Sequence, residues 1–228
     1  MNIISGHGDP CGKVLTSHKK VARVSFTGGP TSARHVIQNT ANNFAEVSLE
    51  LGGKSPFIVF DDADIESAVN GSVGGIFAAT WQSCVAGSRL LLHEDIADDF
   101  IERLVAVAKS VKIGDPMLDE TEMGPLCTQA QQDHIKREVA HAVSEGATIR
   151  AGGNVPEGLD GIYFEPTIVT AKAMICALSI RSCLALWSVW CGFRARKKRF
   201  GWPMIRNTGW RRGFSRGILR VPCACLRL

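Results

Sequence analysis

The sequence predicts an α/β fold, and three observations predict it. Strand-like and helix-like hydrophobic periods alternate up to about residue 172. A strand is joined to a helix by the turn Gly28-Gly29-Pro30. Beyond residue 172 the pattern stops, and charge and composition change with it. The 45% hydrophobic content is ordinary for a globular protein and excludes a fully disordered chain. No window approaches the roughly 20 uninterrupted apolar residues of a membrane span. Residues 1–10 have neither a basic start nor an apolar run, so no membrane association is expected and a cytoplasmic location is.

In chain order, residues 2–5 read as a short strand, 11–17 as a short helix, and 22–27 as a strand that ends at the glycine turn. A helix over 32–41 follows, so the turn stands where backbone N–H groups at a helix N-terminus can meet a phosphate. Gly-Gly turns before helices are common, and this one alone does not argue a cofactor. Val47, Leu49 and Leu51 alternate with Glu46, Ser48 and Glu50, a period of two that gives a strand with Glu50 turned from its apolar face. After Gly52-Gly53, residues 56–60 form a compact apolar strand, and Asp62-Ala63-Asp64 starts a helix over 65–79. Gly71, Gly74 and Gly75 weaken that helix, and close approach to another backbone is the expected compensation.

Residues 89–92 read as a strand. Ile96, Phe100, Leu104, Val107 and Val111 then form one apolar stripe at helical spacing. A further helix runs from the N-cap Thr128 to the stop at Gly146, and strands are expected over 148–151 and 162–170.

Two residues can carry chemistry. Cys84, in Trp81-Gln82-Ser83-Cys84, offers a thiol, which at its ordinary pKa is a few per cent thiolate at neutral pH and attacks carbonyls. Glu50, at the end of a strand, offers a carboxylate that can take a proton from water. Each has an ordinary structural explanation, since an isolated Cys is more often a packing residue and a Glu ending a strand is usually just solvated. The remaining cysteines of the body, Cys11 and Cys127, make its count odd, so no disulfide framework is expected. Cys223-Ala-Cys225 has no paired His nearby, and no metal site is expected.

A longer run of motifs weighs against those explanations. It comprises Val24-Ser25-Phe26-Thr27-Gly28-Gly29, Leu49-Glu50-Leu51-Gly52-Gly53-Lys54-Ser55-Pro56, Gln82-Ser83-Cys84 with Ser88-Arg89, Gly114-Asp115-Pro116, Met123-Gly124-Pro125 and Phe164-Glu165-Pro166-Thr167. In this order the run resembles the aldehyde dehydrogenase superfamily over residues 2 to about 172, and the separation of 34 between Glu50 and Cys84 matches the family's interval. The resemblance implies a partial aldehyde dehydrogenase fold: an incomplete Rossmann-like cofactor domain over 1–51, part of an α/β catalytic domain over 52–172, and an irregular tail over 173–228 outside the fold. It implies Cys84 as the nucleophile that forms a thiohemiacetal and then a thioester, and Glu50 as the base that activates water to hydrolyse it. It implies Gly28, Gly29, Leu51 and Gly52 beside NAD or NADP, a small-molecule aldehyde as substrate, and the family's homo-oligomers.

Departures from the family pattern are Trp81, where the family has a glycine, and Ala33, where many members have the turn's second glycine. A bulky indole at 81 is expected to strain the loop that carries Cys84. Most of the family's cofactor domain, with an Asn that helps hold the oxyanion, lies upstream of what is here Asn2. The alternative reading is therefore a catalytically inactive fragment of such an enzyme.

The tail needs its own explanation. Residues 1–174 carry 14 basic against 22 acidic side chains, whereas no acidic residue follows Glu165 and Arg181 to Arg227 supply 12 of the 26 Lys and Arg. Codons allowed for Arg181-Ser182-Cys183-Leu184-Ala185-Leu186-Trp187, read from the third base, give Glu-Leu-Phe-Gly-Pro-Val, an element of the same family. A reading-frame shift accounts for this. The competing account is a basic, Trp-rich segment that binds polyanions, but it shows neither helical amphipathicity nor a repeated motif, and nucleic acid is not expected as a partner.

Overall fold

The computed structural model describes residues 1–77, 80 and 82–170, together with the backbone of 171, 187–193 and 218–220. The expectation of strain at Trp81 lies outside the described residues, as does most of the tail. The chain divides into two units, Met1–Gly52 and Gly53–Leu228.

The first unit is a strand–helix–strand crossover preceded by a short helix. Helix α1 (Lys13–Ser17) leads to β1 (Arg23–Gly28), α2 (Pro30–Thr40) and β2 (Glu46–Leu51). The strands pair in parallel from Arg23 opposite Glu46 to Gly28 opposite Leu51. This is the arrangement that a helical crossover permits, since antiparallel strands could have used a tight turn. Asn43 ties the connection to the preceding helix by donating from Nδ2 to the carbonyls of Thr16 (3.1 Å) and His18 (2.9 Å). The strand expected over 2–5 does not form. Ile3 and Ile4 are exposed there, and among the described residues no neighbouring strand supplies the ladder that an extended segment needs.

The second unit contains β3 (Pro56–Val59), α3 (Ile65–Ile76), β4 (Arg89–His93), α4 (Ala97–Ser110), α5 (Gln129–Ser144), β5 (Thr148–Ala151) and β6 (Ile168–Ala171). Two tail segments complete its sheet as β7 (Trp187–Phe193) and β8 (Ile218–Arg220). The strand order is β5-β6-β7-β4-β3-β8, with β3, β4, β7 and β6 parallel and the two edge strands antiparallel. The tail is thus not wholly outside the sheet. Trp187–Phe193 is rich in aromatic and apolar residues, suits a strand, and pairs with both β4 and β6.

The core forms where the strand interiors meet the helical stripe. Val59, Leu90, Leu92, Ile168 and Val169 from the sheet, with Phe100, Leu104, Ile135 and Ala142 from α4 and α5, are fully enclosed. The expected caps are present. The Asp64 carboxylate accepts the Ser67 N–H at 2.8 Å, and Thr128 Oγ1 accepts that of Gln131 at 3.2 Å. Gly146, with φ +86°, follows α5. The strand expected over 162–170 begins only at Ile168. Pro166 has no N–H for a ladder, and the polar groups before β6 turn to a neighbouring loop instead. Glu165 N donates to the Asn154 carbonyl (3.0 Å), and Gly153 N donates to Thr167 Oγ1 (3.0 Å).

The glycines of α3 do not all serve one purpose. A Cβ on Gly74 would meet nothing within 4 Å, and one on Gly71 would only touch the Phe57 ring at 3.8 Å. The close backbone approach is at Gly75, whose carbonyl accepts the Gly87 N–H at 3.3 Å.

Candidate functional site

Five of the six sequence-predicted site residues gather at one end of the first unit's sheet. Register places Thr27 opposite Glu50 and Gly28 opposite Leu51, with Gly29 and Gly52 one residue beyond, so all five stand at the C-terminal ends of two parallel strands. Such ends are where open α/β sheets present ligand sites, because the connecting turns and helix N-termini converge there. Glu50 and its neighbour Thr27 are both exposed; exposure alternates along β1, whereas in β2 Glu46 and Glu50 are the exposed positions and Val47, Ser48 and Leu49 are half-buried. Gly29 is the N-cap of α2 and is extended (φ −81°, ψ 156°); no side chain caps the helix, and no acidic residue lies in its first turn. A Cβ on Gly29 would meet nothing within 4 Å, so the surface over the turn is open; one on Gly28 would lie 2.7 Å from the Phe26 ring. Ala33 is buried and donates its N–H to the Gly29 carbonyl at 3.0 Å, so an alanine is accommodated there.

Cys84 stands in the second unit, on the loop between α3 and β4, as an exposed free thiol. On its C-terminal side the loop is held by Gly87 N to Gly75 O and by Arg89 N to Ser55 O, both 3.3 Å. A Cβ on Gly87 would come to 3.3 Å from Phe57 Cβ, so glycine lets the loop lie flat on β3. On its N-terminal side Gln82 Oε1 accepts the N–H of Cys127 at 3.2 Å, and Thr80 Oγ1 donates to the Gly124 carbonyl at 3.4 Å. Nothing in the local sequence singles out Gln82 or Thr80 for function. Gln82 falls inside a recognised motif, but its partner is 45 residues away, and no local period reports such a contact.

Comparison with known proteins decides the family. The aldehyde dehydrogenase family model matches residues 1–177. The chain belongs to the aldehyde dehydrogenase family. Among curated relatives it is 51% identical over 182 residues to (Z)-2-((N-methylformamido)methylene)-5-hydroxybutyrolactone dehydrogenase of Acinetobacter baylyi, covering 80% of this chain and 37% of that one. It is 42% identical over 172 residues to betaine aldehyde dehydrogenase of Brucella anthropi, covering 74% and 35%. Among solved structures, betaine aldehyde dehydrogenase of Staphylococcus aureus in complex with NAD+ aligns with a TM-score of 0.80 at 37% identity, covering 84% of this chain and 39% of that one. The chain therefore spans less than two fifths of the aldehyde dehydrogenases it resembles, and the fold predicted for it is that of this enzyme family.

One further cluster in the second unit is explained locally. Ligand atoms of Asp61, His93 and Asp95 lie within 4.8 Å of one another, and His93 Nδ1 accepts the Asp95 N–H at 3.4 Å, which caps the single 3-10 turn before α4. Among the described residues no helix is long and apolar enough to cross a membrane.

Proposed function

We propose that the chain carries the reacting groups of an NAD- or NADP-dependent aldehyde dehydrogenase, which oxidises an aldehyde to a carboxylic acid. Cys84 supports the reading most directly: an exposed thiol, on a loop tied at both ends, inside the stretch that the family model matches. Its Sγ attacks the aldehyde carbonyl carbon, forming a thiohemiacetal. The nicotinamide cofactor, when bound, supplies the hydride acceptor that converts such an adduct to a thioester. Glu50 takes a proton from water, the water attacks the thioester carbonyl, and the acid leaves as the thiol is restored.

Residues of the first unit fit such a cofactor. The open turn at Gly29, the uncapped N-terminus of α2 and the absence of acidic side chains in its first turn suit an anionic group. Gly28 and Gly29 would hold it through backbone contacts, with Leu51 and Gly52 lining the adjacent strand end. A reading-frame shift remains our account of the tail, supported by the end of the family match at residue 177. The gene sequence tests that account: Glu-Leu-Phe-Gly-Pro in the displaced frame supports it, and its absence removes it.

The activity test is aldehyde-dependent formation of reduced nicotinamide by the full chain. Activity that disappears in Cys84→Ala supports the enzyme. Activity that survives that substitution removes Cys84 from the mechanism, and no activity in the parent chain favours the inactive-fragment alternative. In Glu50→Gln the expected result is one fast turnover followed by accumulation of the Cys84 thioester, detected by mass.

A further inference from the structure

We propose that Gln82 is a positioning residue for the Cys84 thiol, acting through the backbone N–H of Cys127. The proposal rests on the reading of Cys84 as the nucleophile and deepens it. Cys84 lies in a span whose far end is held by Gly87 on the Gly75 carbonyl and by the close fit of Gly87 on Phe57. At its near end Gln82 Oε1 accepts the Cys127 N–H at 3.2 Å, the side-chain tie nearer to Cys84, with the Thr80 hydroxyl on the Gly124 carbonyl two residues earlier.

The partner of that tie is a fixed point. Leu126 is buried and donates its N–H to the Ile162 carbonyl at 2.7 Å, while Thr128 caps α5. Cys127 is therefore clamped from both sides. Thr80 brings the chain to the same segment through Gly124, and does so at φ +51°, where a β-branched residue is strained. A strained backbone position is kept where its surroundings over-determine it, and the loop's entry is such a place.

Magnitudes separate a positioning role from a merely structural one. A partly exposed hydrogen bond contributes little to folding. A displacement of about 1 Å at a reacting atom costs about a hundredfold in rate. Loss of the tie should therefore register in Cys84 chemistry well before it registers in stability.

The test uses the full chain and 4-nitrophenyl acetate. Cys84 Sγ bonds to the acetyl carbon, 4-nitrophenolate leaves, and the thiol proton passes to solvent. Nitrophenolate release is followed together with the mass of the Cys84 peptide. In Gln82→Met, which keeps the length and removes the acceptor oxygen, acylation at Cys84 is expected to slow by about tenfold or more. Its pH midpoint stays in place, and the melting temperature is nearly unchanged. Gln82→Glu retains an acceptor and is expected to keep most of the rate.

Methyl methanethiosulfonate, a small reagent with little demand on orientation, should modify Cys84 at similar rates in all three chains. Acylation of Gln82→Met within twofold of the parent overturns the proposal. So does a parallel fall in both reagents' rates, or a Gln82→Glu variant as slow as Gln82→Met. Cys84→Ala run alongside separates the two ideas: acetylation that continues undiminished in it, or a parent chain not acylated at Cys84, overturns the nucleophile itself rather than the tie.

Discussion

Phe44 shows how much a single residue can tell against its own neighbourhood. It has φ +56° and is 93% exposed, so its ring gains almost nothing from packing while its Cβ crowds the backbone. Phe44→Asn is expected to raise stability by about 1 kcal/mol, since Asn adopts the left-handed region more easily. A urea titration giving an unchanged or lower midpoint would remove strain as the explanation. The proposed reacting residues, Cys84 and Glu50, were legible because both lie in recognisable motifs, and each is exposed, as the proposed chemistry requires. Gln82 was legible only as part of a motif. What it touches depends on where residues 124–128 fall after the chain has folded.

Helix caps carry the clearest predictions among the elements. Thr128→Ala removes the acceptor for Gln131 N and is expected to cost about 1 kcal/mol, whereas Thr128→Ser should cost little. Equal losses in both variants, measured by thermal unfolding, would show that something other than the hydroxyl matters.

Asp64 adds a pH dependence. The Ser67 side chain, and then the Ser67 backbone N–H, hold its carboxyl below the ordinary value. The stabilisation is therefore complete above that ordinary value and disappears as the pH falls through the lowered one. A gap in melting temperature between the parent and Asp64→Ala is expected at neutral pH and should close in strong acid. A gap that persists there unchanged would mean the carboxylate is not the cap.

Most element positions follow from periodicity, including the α4 stripe and the alternation in β2. Two of the misplacements share a cause. Residues 2–5 and 162–164 are rich in side chains suited to strands, but a strand is completed by its neighbour, and among the described residues neither segment has a ladder.

On the scale of the molecule, the second unit depends on a core assembled from distant segments. Phe100 of α4 and Ile168 of β6 belong to one enclosed cluster. Phe100→Ala is expected to cost about 3–5 kcal/mol, because the cavity left behind adds to the lost burial. A fall of less than 1 kcal/mol in the unfolding free energy would show that the site collapses freely. The place of β7 between β4 and β6 gives a second test. A chain ending at residue 177 lacks that strand and leaves both neighbours with unpaired edges, so it is expected to aggregate where the full chain does not. Equal solubility by size-exclusion chromatography would show that the tail strand contributes no pairing in solution.

By itself the sequence determined the α/β class, the family and the helices with their caps, and it singled out Cys84 and Glu50 as the candidates for the proposed chemistry. Each of these is written in local order: a period, a turn, a motif and its spacing. Tertiary structure alone decided that Glu50, Leu51 and Gly52 share a sheet end with Gly28 and Gly29, and that the Cys84 loop is tied to Cys127 and Gly75. It also decided that Trp187–Phe193 pairs between β4 and β6. Those are contacts between residues far apart in sequence. A chain's local pattern determines what each segment can become, but hydrogen-bond ladders and close approaches exist only between segments that folding has brought together.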